Sequence, residues 1–229
     1  MPSDTTASPS AGPASDLADL PGGMTEFVPL RDEAELEALY AQPLGTSIHK
    51  VADHLTPLYR KMLEASPFCV LATVGPEGLD ASPRGDAPGW AHVHDDRTLM
   101  LPDRRGNNRL DSLRNIVRDP RVGLLFMLPG INETLRVNGR ATVTADEALC
   151  ASFAVDGKAP RTVVVVRIDA VYFQCARALA RSHLWDAAHH VPRAAVPTAG
   201  AMLAEASGGT EGGDDFDREL PARQAATLY

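Results

Sequence analysis

The run Thr162-Val163-Val164-Val165-Val166-Arg167-Ile168 decides the fold. Its β-branched side chains are stiff about χ1 and suit a pleated surface, and so apolar a run belongs at the centre of a sheet rather than at its rim. Val171-Tyr172-Phe173 extends the strand region beyond it. A central strand needs partners, and the chain offers several. Phe68-Cys69-Val70-Leu71-Ala72-Thr73-Val74 reads as a buried strand, Gly75-Pro76-Glu77-Gly78 as its turn, and Leu79 to Arg84 as the returning strand of a hairpin. Pro83 fits only an edge or a bulge, because proline gives a ladder no N–H. Trp90 to His94 is a further short strand, and Arg97 to Leu101 another, stopped by Pro102. Arg121 to Leu128 ends at Pro129-Gly130, and Glu133 to Thr144 is its antiparallel neighbour, with Gly139 marking a bulge or a close backbone approach.

Between these lie helical patterns. Asp32 to Ala41 and His49 to Ala65 carry apolar residues at spacings of three and four, the second stopped by Ser66-Pro67. Leu110, Leu113, Ile116 and Val117 give a helix that ends at Asp119-Pro120, Glu147 to Phe153 a short one, and Cys175 to Trp185 the last. Strands this short, antiparallel and with few helices make the chain mainly β with short helices, an α+β chain, and point to a small, partly open β-barrel rather than a doubly wound sheet.

The 229 residues divide by composition. Residues 1–23 and 187–229 are rich in small and polar residues and read as mobile tails, since neither can bury much apolar surface. Residues 24–66 hold the first helices and 67–186 the barrel. With 22 Lys and Arg against 30 Asp and Glu, the net charge of −8 sets nucleic acid aside as a partner. There is no basic, then apolar, leader pattern and no apolar run of membrane-spanning length, so the expectation is a cytoplasmic protein with no membrane contact. The three cysteines, Cys69, Cys150 and Cys175, have no Cys-x-x-Cys spacing and form neither a disulfide framework nor a zinc site. His92 and His94 share a strand face, but with no third ligand at a defined spacing no metal is expected.

The chemistry is concentrated in Leu101-Pro102-Asp103-Arg104-Arg105-Gly106-Asn107-Asn108-Arg109-Leu110-Asp111-Ser112-Leu113, which joins a strand end to a helix start. With Asn107 or Asn108 as N-cap, the positive end of the helix dipole faces the loop, and Arg104, Arg105 and Arg109 add fixed charge. Such a loop suits an anion, a phosphate above all. A capped helix flanked by solvated arginines is the competing reading of the same residues.

The order of four blocks settles between them. Ser82-Pro83-Arg84-Gly85-Asp86, then Leu101 to Arg104 with Asn107-Asn108-Arg109, then Asp119-Pro120-Arg121-Val122-Gly123-Leu124-Leu125-Phe126, then Leu135-Arg136-Val137-Asn138-Gly139-Arg140-Ala141 resembles the pyridoxamine 5'-phosphate oxidase-like family, and within it a subgroup of FMN-dependent enzymes without assigned substrates. The resemblance runs from about Ser47 to Asp186. It implies an FMN-binding split β-barrel working as a homodimer, with a flavin in each of two interface clefts.

It also implies roles. Arg84 and Arg109 match positions that hold the flavin phosphate, with Ser82 and Asn108 as neutral donors and Arg105 as the alternative to Arg109. Leu101, Pro102, Asp103 and Arg104 match residues along the flavin ring. Thr134 and Arg136 match a polar position that reaches the flavin, and Arg181 and Trp185 are candidates for closing the cleft, from the other subunit. Asp86, Asp103 and Glu133 are possible proton donors. The expected activity is FMN-dependent hydride or electron transfer to a small-molecule acceptor. Two departures argue against pyridoxamine phosphate itself: Ala87-Pro88-Gly89 stands where a second basic residue is usual, and the C-terminal arginine segment that holds that substrate is absent. A non-catalytic flavin-storage module, or a cleft for a deazaflavin or haem, are the rival readings. A tail ending in Ala-Thr-Leu-Tyr could also fold over the cleft.

Overall fold

The computed structural model describes residues 28–229. Residues 1–23, expected to form a tail, lie outside them. Contacts divide the chain into two units, one up to Gly45 and one from Thr46 to Tyr229. In the first, α1 (Glu33–Glu37) is capped by the Asp32 carboxylate, which accepts from the Glu35 N–H at 2.9 Å. The division falls at the first residue of α2 (Gly45–His49), and α3 (Pro57–Ala65) follows. These replace the single helix expected over His49 to Ala65. Pro57 can begin a helix but not continue one, Thr56 caps it, and the chain before it is instead bridged to the sheet through Ala52 and Val171.

Seven strands follow: β1 (Phe68–Gly75), β2 (Gly78–Gly85), β3 (His92–Asp95), β4 (Thr98–Pro102), then α4 (Asp111–Arg118), β5 (Arg121–Met127), β6 (Thr134–Thr144), α5 (Glu147–Ser152) and β7 (Val163–Gln174). They form one antiparallel sheet in the order β2-β1-β5-β6-β7-β4-β3, a split β-barrel whose open edges are β2 and β3. All of the run at 162–168 except Thr162 lies inside β7, between β6 and β4. Pro83 sits on the edge strand β2, opposite Val70. β3 starts at His92 rather than Trp90, whose ring is packed into the core at 7% exposure.

One apolar core fills the sheet's inner face, with Leu71, Leu99, Leu124, Phe126, Leu135, Val137 and Val166 almost wholly buried. The β6–β7 ladder carries a register shift between Asn138 and Gly139. A Cβ on Gly139 would overlap the Arg167 carbonyl oxygen, so glycine is needed there for the close approach. After β7 the expected helix from Cys175 to Trp185 shrinks to α6 (Arg177–Arg181). Residues 187–229, expected to be a mobile tail, contain α7 (Ala199–Ala206) and α8 (Gly213–Ala226). Small residues let these two helices pack closely, a contact that composition alone does not reveal.

Candidate functional site

The inner face of β2 carries Asp80, Ser82 and Arg84, all half-buried, alternating with the exposed Leu79, Ala81 and Pro83. α4 closes over this face through polar anchors. Asn115 Nδ2 donates to Thr73 Oγ1 at 3.1 Å, and Ser112 Oγ donates to Asp80 Oδ2 at 2.6 Å. Arg118 at the far end reaches Glu77 at 3.0 Å. The helix therefore runs toward the β1–β2 turn, and its N-terminus points along the sheet toward Ser82 and Arg84.

That N-terminus differs from the sequence expectation. The N-cap is Leu110, in the left-handed region at φ 64°, with no side-chain cap. Asn108 is also left-handed, at φ 60°, and Asn107 accepts from the Arg109 N–H at 3.0 Å. Both asparagines are thus used to turn the chain ahead of the helix, because their short side chains bond locally and tolerate φ > 0. Leu110 followed by helical Asp111 turns successive N–H groups to one side, an anion-binding concavity, and a left-handed leucine is a strained choice worth about 1–2 kcal/mol.

The arginines of this region have different standings. Arg104 donates to Asp86 Oδ2 and to the Phe153 carbonyl, both at 2.8 Å, so it is structurally committed. Arg109 is 75% exposed and pairs with Asp111, and Arg105 is exposed. Arg84 donates only to the carbonyl of neighbouring Pro83 and has no carboxylate partner among the described residues. Ser82 is not a free donor: its hydroxyl goes to Asp80 Oδ2 at 2.9 Å. The hydrogen bond from Ser112 is the chief reason the Asp80 carboxyl lies below its ordinary range; burial opposes it and the Ser82 bond assists it. Burial pushes the Cys69 thiol up to about 12 despite nearby Arg84. Burial also raises the Asp103 carboxyl, again with Arg84 opposing.

Leu101 and Pro102 are buried at the end of β4, paired on one side with Val164 and Val163 of β7. The Asp103 N–H donates to the Thr162 carbonyl at 2.9 Å. On the other side β3 pairs only as far as Met100, so that edge of Leu101 and Pro102 is free of strand. Thr162 Oγ1, just before β7 and on the opposite side of β4 from that edge, and Trp90 Nε1 are buried without a hydrogen-bond partner among the described residues.

Other expected residues lie elsewhere. Thr134 is 3% exposed. Arg136 is on the outer face, since register places Leu135, not Arg136, in line with Phe126, Cys69 and Arg84. It contacts the Tyr172 hydroxyl at 3.3 Å. Arg181 is exposed, and Trp185 Nε1 donates to the Ile131 carbonyl at 2.9 Å, tying the chain after α6 to the β5–β6 connection. Within one chain these four do not join Arg84. Sequence reasoning missed Asp80, although it precedes Ser82 by two and shares its face; Ser112, Thr162 and the Asp86–Arg104 pair gave no local signal. His92 and His94 are exposed on edge strand β3, and a different trio, His183, Asp186 and His189, brings possible metal ligands together on the surface.

A sequence profile described as pyridoxamine 5'-phosphate oxidase matches residues 55–175. No curated protein matches significantly. Among solved structures, HupZ from Group A Streptococcus shares 15% identity, over 52% of this chain and 93% of that one, with a TM-score of 0.44. A putative pyridoxamine 5'-phosphate oxidase from Lactobacillus delbrueckii shares 22%, over 53% and 95%, at 0.43. A FAD-binding protein from Mesorhizobium loti shares 18%, over 55% and 99%, at 0.37.

Proposed function

The chain belongs to the pyridoxamine 5'-phosphate oxidase family, and on that premise we propose that it is a cytoplasmic FMN-dependent oxidoreductase, acting as a homodimer on a small molecule other than pyridoxamine phosphate. One observation carries the proposal: Arg84, half-buried and unpaired among the described residues, lies on the sheet face toward which the uncapped N-terminus of α4 points. A guanidinium without a counter-ion and a helix start without a cap are both relieved by a phosphate. Asp80 holds the two serine hydroxyls, so the phosphate would sit on the Arg84 side of it, with Asn108 and the first-turn N–H groups as further donors.

The donor set also fits the planar end. The free edge of Leu101 and Pro102 offers backbone groups. Bound FMN would supply the hydride and electron transfer. The residues position: Arg84 anchors and the Leu101–Pro102 edge aligns, while Asp103, its carboxyl raised by burial and opposed by Arg84, is the candidate proton donor. Arg181 and Trp185 would close the cleft from a second subunit. The apolar Leu110 and Val117 on α4, 45% and 76% exposed, support a second subunit packing there.

The test is an anaerobic titration of the FMN-loaded protein with NADH, NADPH or a reduced deazaflavin, followed by admission of oxygen or a panel of acceptors. Bleaching and return of the visible flavin band supports the reading. Saturable flavin binding with no reduction by any donor leaves a storage module, and no flavin binding removes the proposal.

A further inference from the structure

α7 and α8 pack on each other, with the Gly200 N–H donating to Asp217 Oδ1 at 2.7 Å where a side chain would overlap the Gly213 carbonyl. Among the described residues, the hydrogen bonds linking 198–229 to the rest of the chain are all made by Tyr229. Its phenol donates to Asp86 Oδ1 at 2.7 Å. Its carbonyl oxygen accepts from Lys158 Nζ at 3.4 Å, and the Arg104 guanidinium lies 5.6 Å from its ring centroid. The three partners come from three connections: Asp86 after β2, Arg104 after β4 and Lys158 between α5 and β7.

This arrangement is more than a surface contact. The Asp86 side chain is 7% exposed and Arg104 19% exposed, and the pair is closed by the Phe153 carbonyl on Arg104. Burial alone would push the Asp86 carboxyl up, but the phenol, the Ala87 N–H and Arg104 together outweigh it and hold it low. The carboxylate presents one oxygen to Arg104 and the other outward, to an O–H donor. The guanidinium presents its face to an aromatic ring, and the ammonium presents charge to an oxygen about one tyrosine length away. These are recognition elements for one kind of molecule, and Arg104 directly follows the Leu101–Asp103 edge.

We propose that Asp86, Arg104 and Lys158 form a subsite for a hydroxylated aromatic acid, which Tyr229 fills in cis when no such ligand is bound. The binding stands by itself; that the ligand is the second substrate, seated beside the flavin ring, rests on the FMN reading above. An aromatic acid entering the subsite must displace Tyr229, so its apparent affinity falls in proportion to the fraction of molecules already open.

The test is calorimetric titration of 4-hydroxyphenylpropionate, with 3-phenylpropionate as the control lacking the hydroxyl, into the full chain and into Tyr229→Ala, each with and without FMN. If Tyr229 fills the subsite about nine-tenths of the time, Tyr229→Ala binds 4-hydroxyphenylpropionate about 10-fold more tightly than wild type. It also prefers that acid to the control by about 10-fold, a comparison that leaves the Asp86–Arg104 pair untouched. Adding Asp86→Asn to Tyr229→Ala erases the preference. Equal binding by wild type and Tyr229→Ala, or equal binding of the two acids, overturns the proposal. Loss of FMN binding with the hydroxyl preference intact would remove the proposed function and leave this subsite standing.

Discussion

Gly139→Ala is the perturbation that most sharply tests the sheet register on which the site depends. A Cβ at 139 would overlap the Arg167 carbonyl oxygen and lie 3.1 Å from its carbonyl carbon and 3.3 Å from Val166 Cγ1. Two of these are backbone atoms that cannot rotate away, so β6 and β7 must part. A separation of about 1 Å takes neighbouring N–H···O contacts from roughly 2.9 Å to beyond hydrogen-bonding range. Losing about two such bonds at roughly 0.5–1.5 kcal/mol each, with about 1–3 kcal/mol of packing strain, and recovering the 0.5–1 kcal/mol or so by which alanine is favoured in a strand, leaves a cost of about 3 kcal/mol. For a chain of this size that is a fall of roughly 6–12 °C in melting temperature. The control is Gly123→Ala on adjacent β5, where the new Cβ would meet Asn138 Oδ1 at 3.7 Å and Ala72 Cβ at 3.9 Å, ordinary contacts. Thermal melts followed by circular dichroism should put Gly123→Ala within a degree or two of wild type. If the two variants melt together, the bulge at Asn138–Gly139 is not where the ladder places it.

Further outcomes follow from other parts of the chain. A thiol reagent should modify one cysteine, Cys175, quickly in the native protein and all three after unfolding, because Cys69 is 0% and Cys150 6% exposed; more than one fast thiol contradicts that burial. The Asp119 carboxyl is held down to about 2 from an ordinary 3.8, chiefly by the Arg121 side-chain hydrogen bond. Its pKa is depressed by folding, so its contribution to stability is fully present above 3.8 and is lost as pH falls toward 2. An NMR titration should show that low midpoint and its return toward 3.8 in Arg121→Ala; a wild-type midpoint near 3.8 removes the pair. At Leu110, φ 64° penalises β-branching, so Leu110→Val should lose about 1–2 kcal/mol in a denaturant titration while Leu110→Gly loses less than about 1; the reverse order would show that the residue is not left-handed.

Much of the sheet was legible because strand signals are local. β-branching marked β7, an alternating hairpin marked β1 and β2, and Pro83 and Gly139 marked an edge and a bulge through what proline and glycine can do. The helices were harder. Periodicity found α4 but not the whole of its buried side: Ile116 at 3% and Leu113 face the core and Leu110 and Val117 are exposed, while Ser112 at 2% and Asn115 at 9% are buried with hydrogen bonds to Asp80 and Thr73. Spacing records which residues share a face, not which face meets the protein. The asparagines at 107 and 108 carried an N-cap signature yet serve the preceding turn. Arg84 was legible as a candidate phosphate anchor, whereas the commitment of Arg104 to Asp86 and the contact of Tyr229, 143 positions along the chain from Asp86, depend on chain closure that no local pattern encodes.

The central claim is that a phosphate is held between Arg84 and the start of α4. The most direct measurement is the affinity of the purified protein for FMN and for riboflavin, which differ by that phosphate, in wild type and in Arg84→Ala. Wild type should prefer FMN by more than 10-fold. Arg84→Ala should lose about 1.5–3 kcal/mol toward FMN and little toward riboflavin, so that the preference largely disappears. Equal affinity of wild type for the two flavins, or an undiminished preference in Arg84→Ala, would contradict the account.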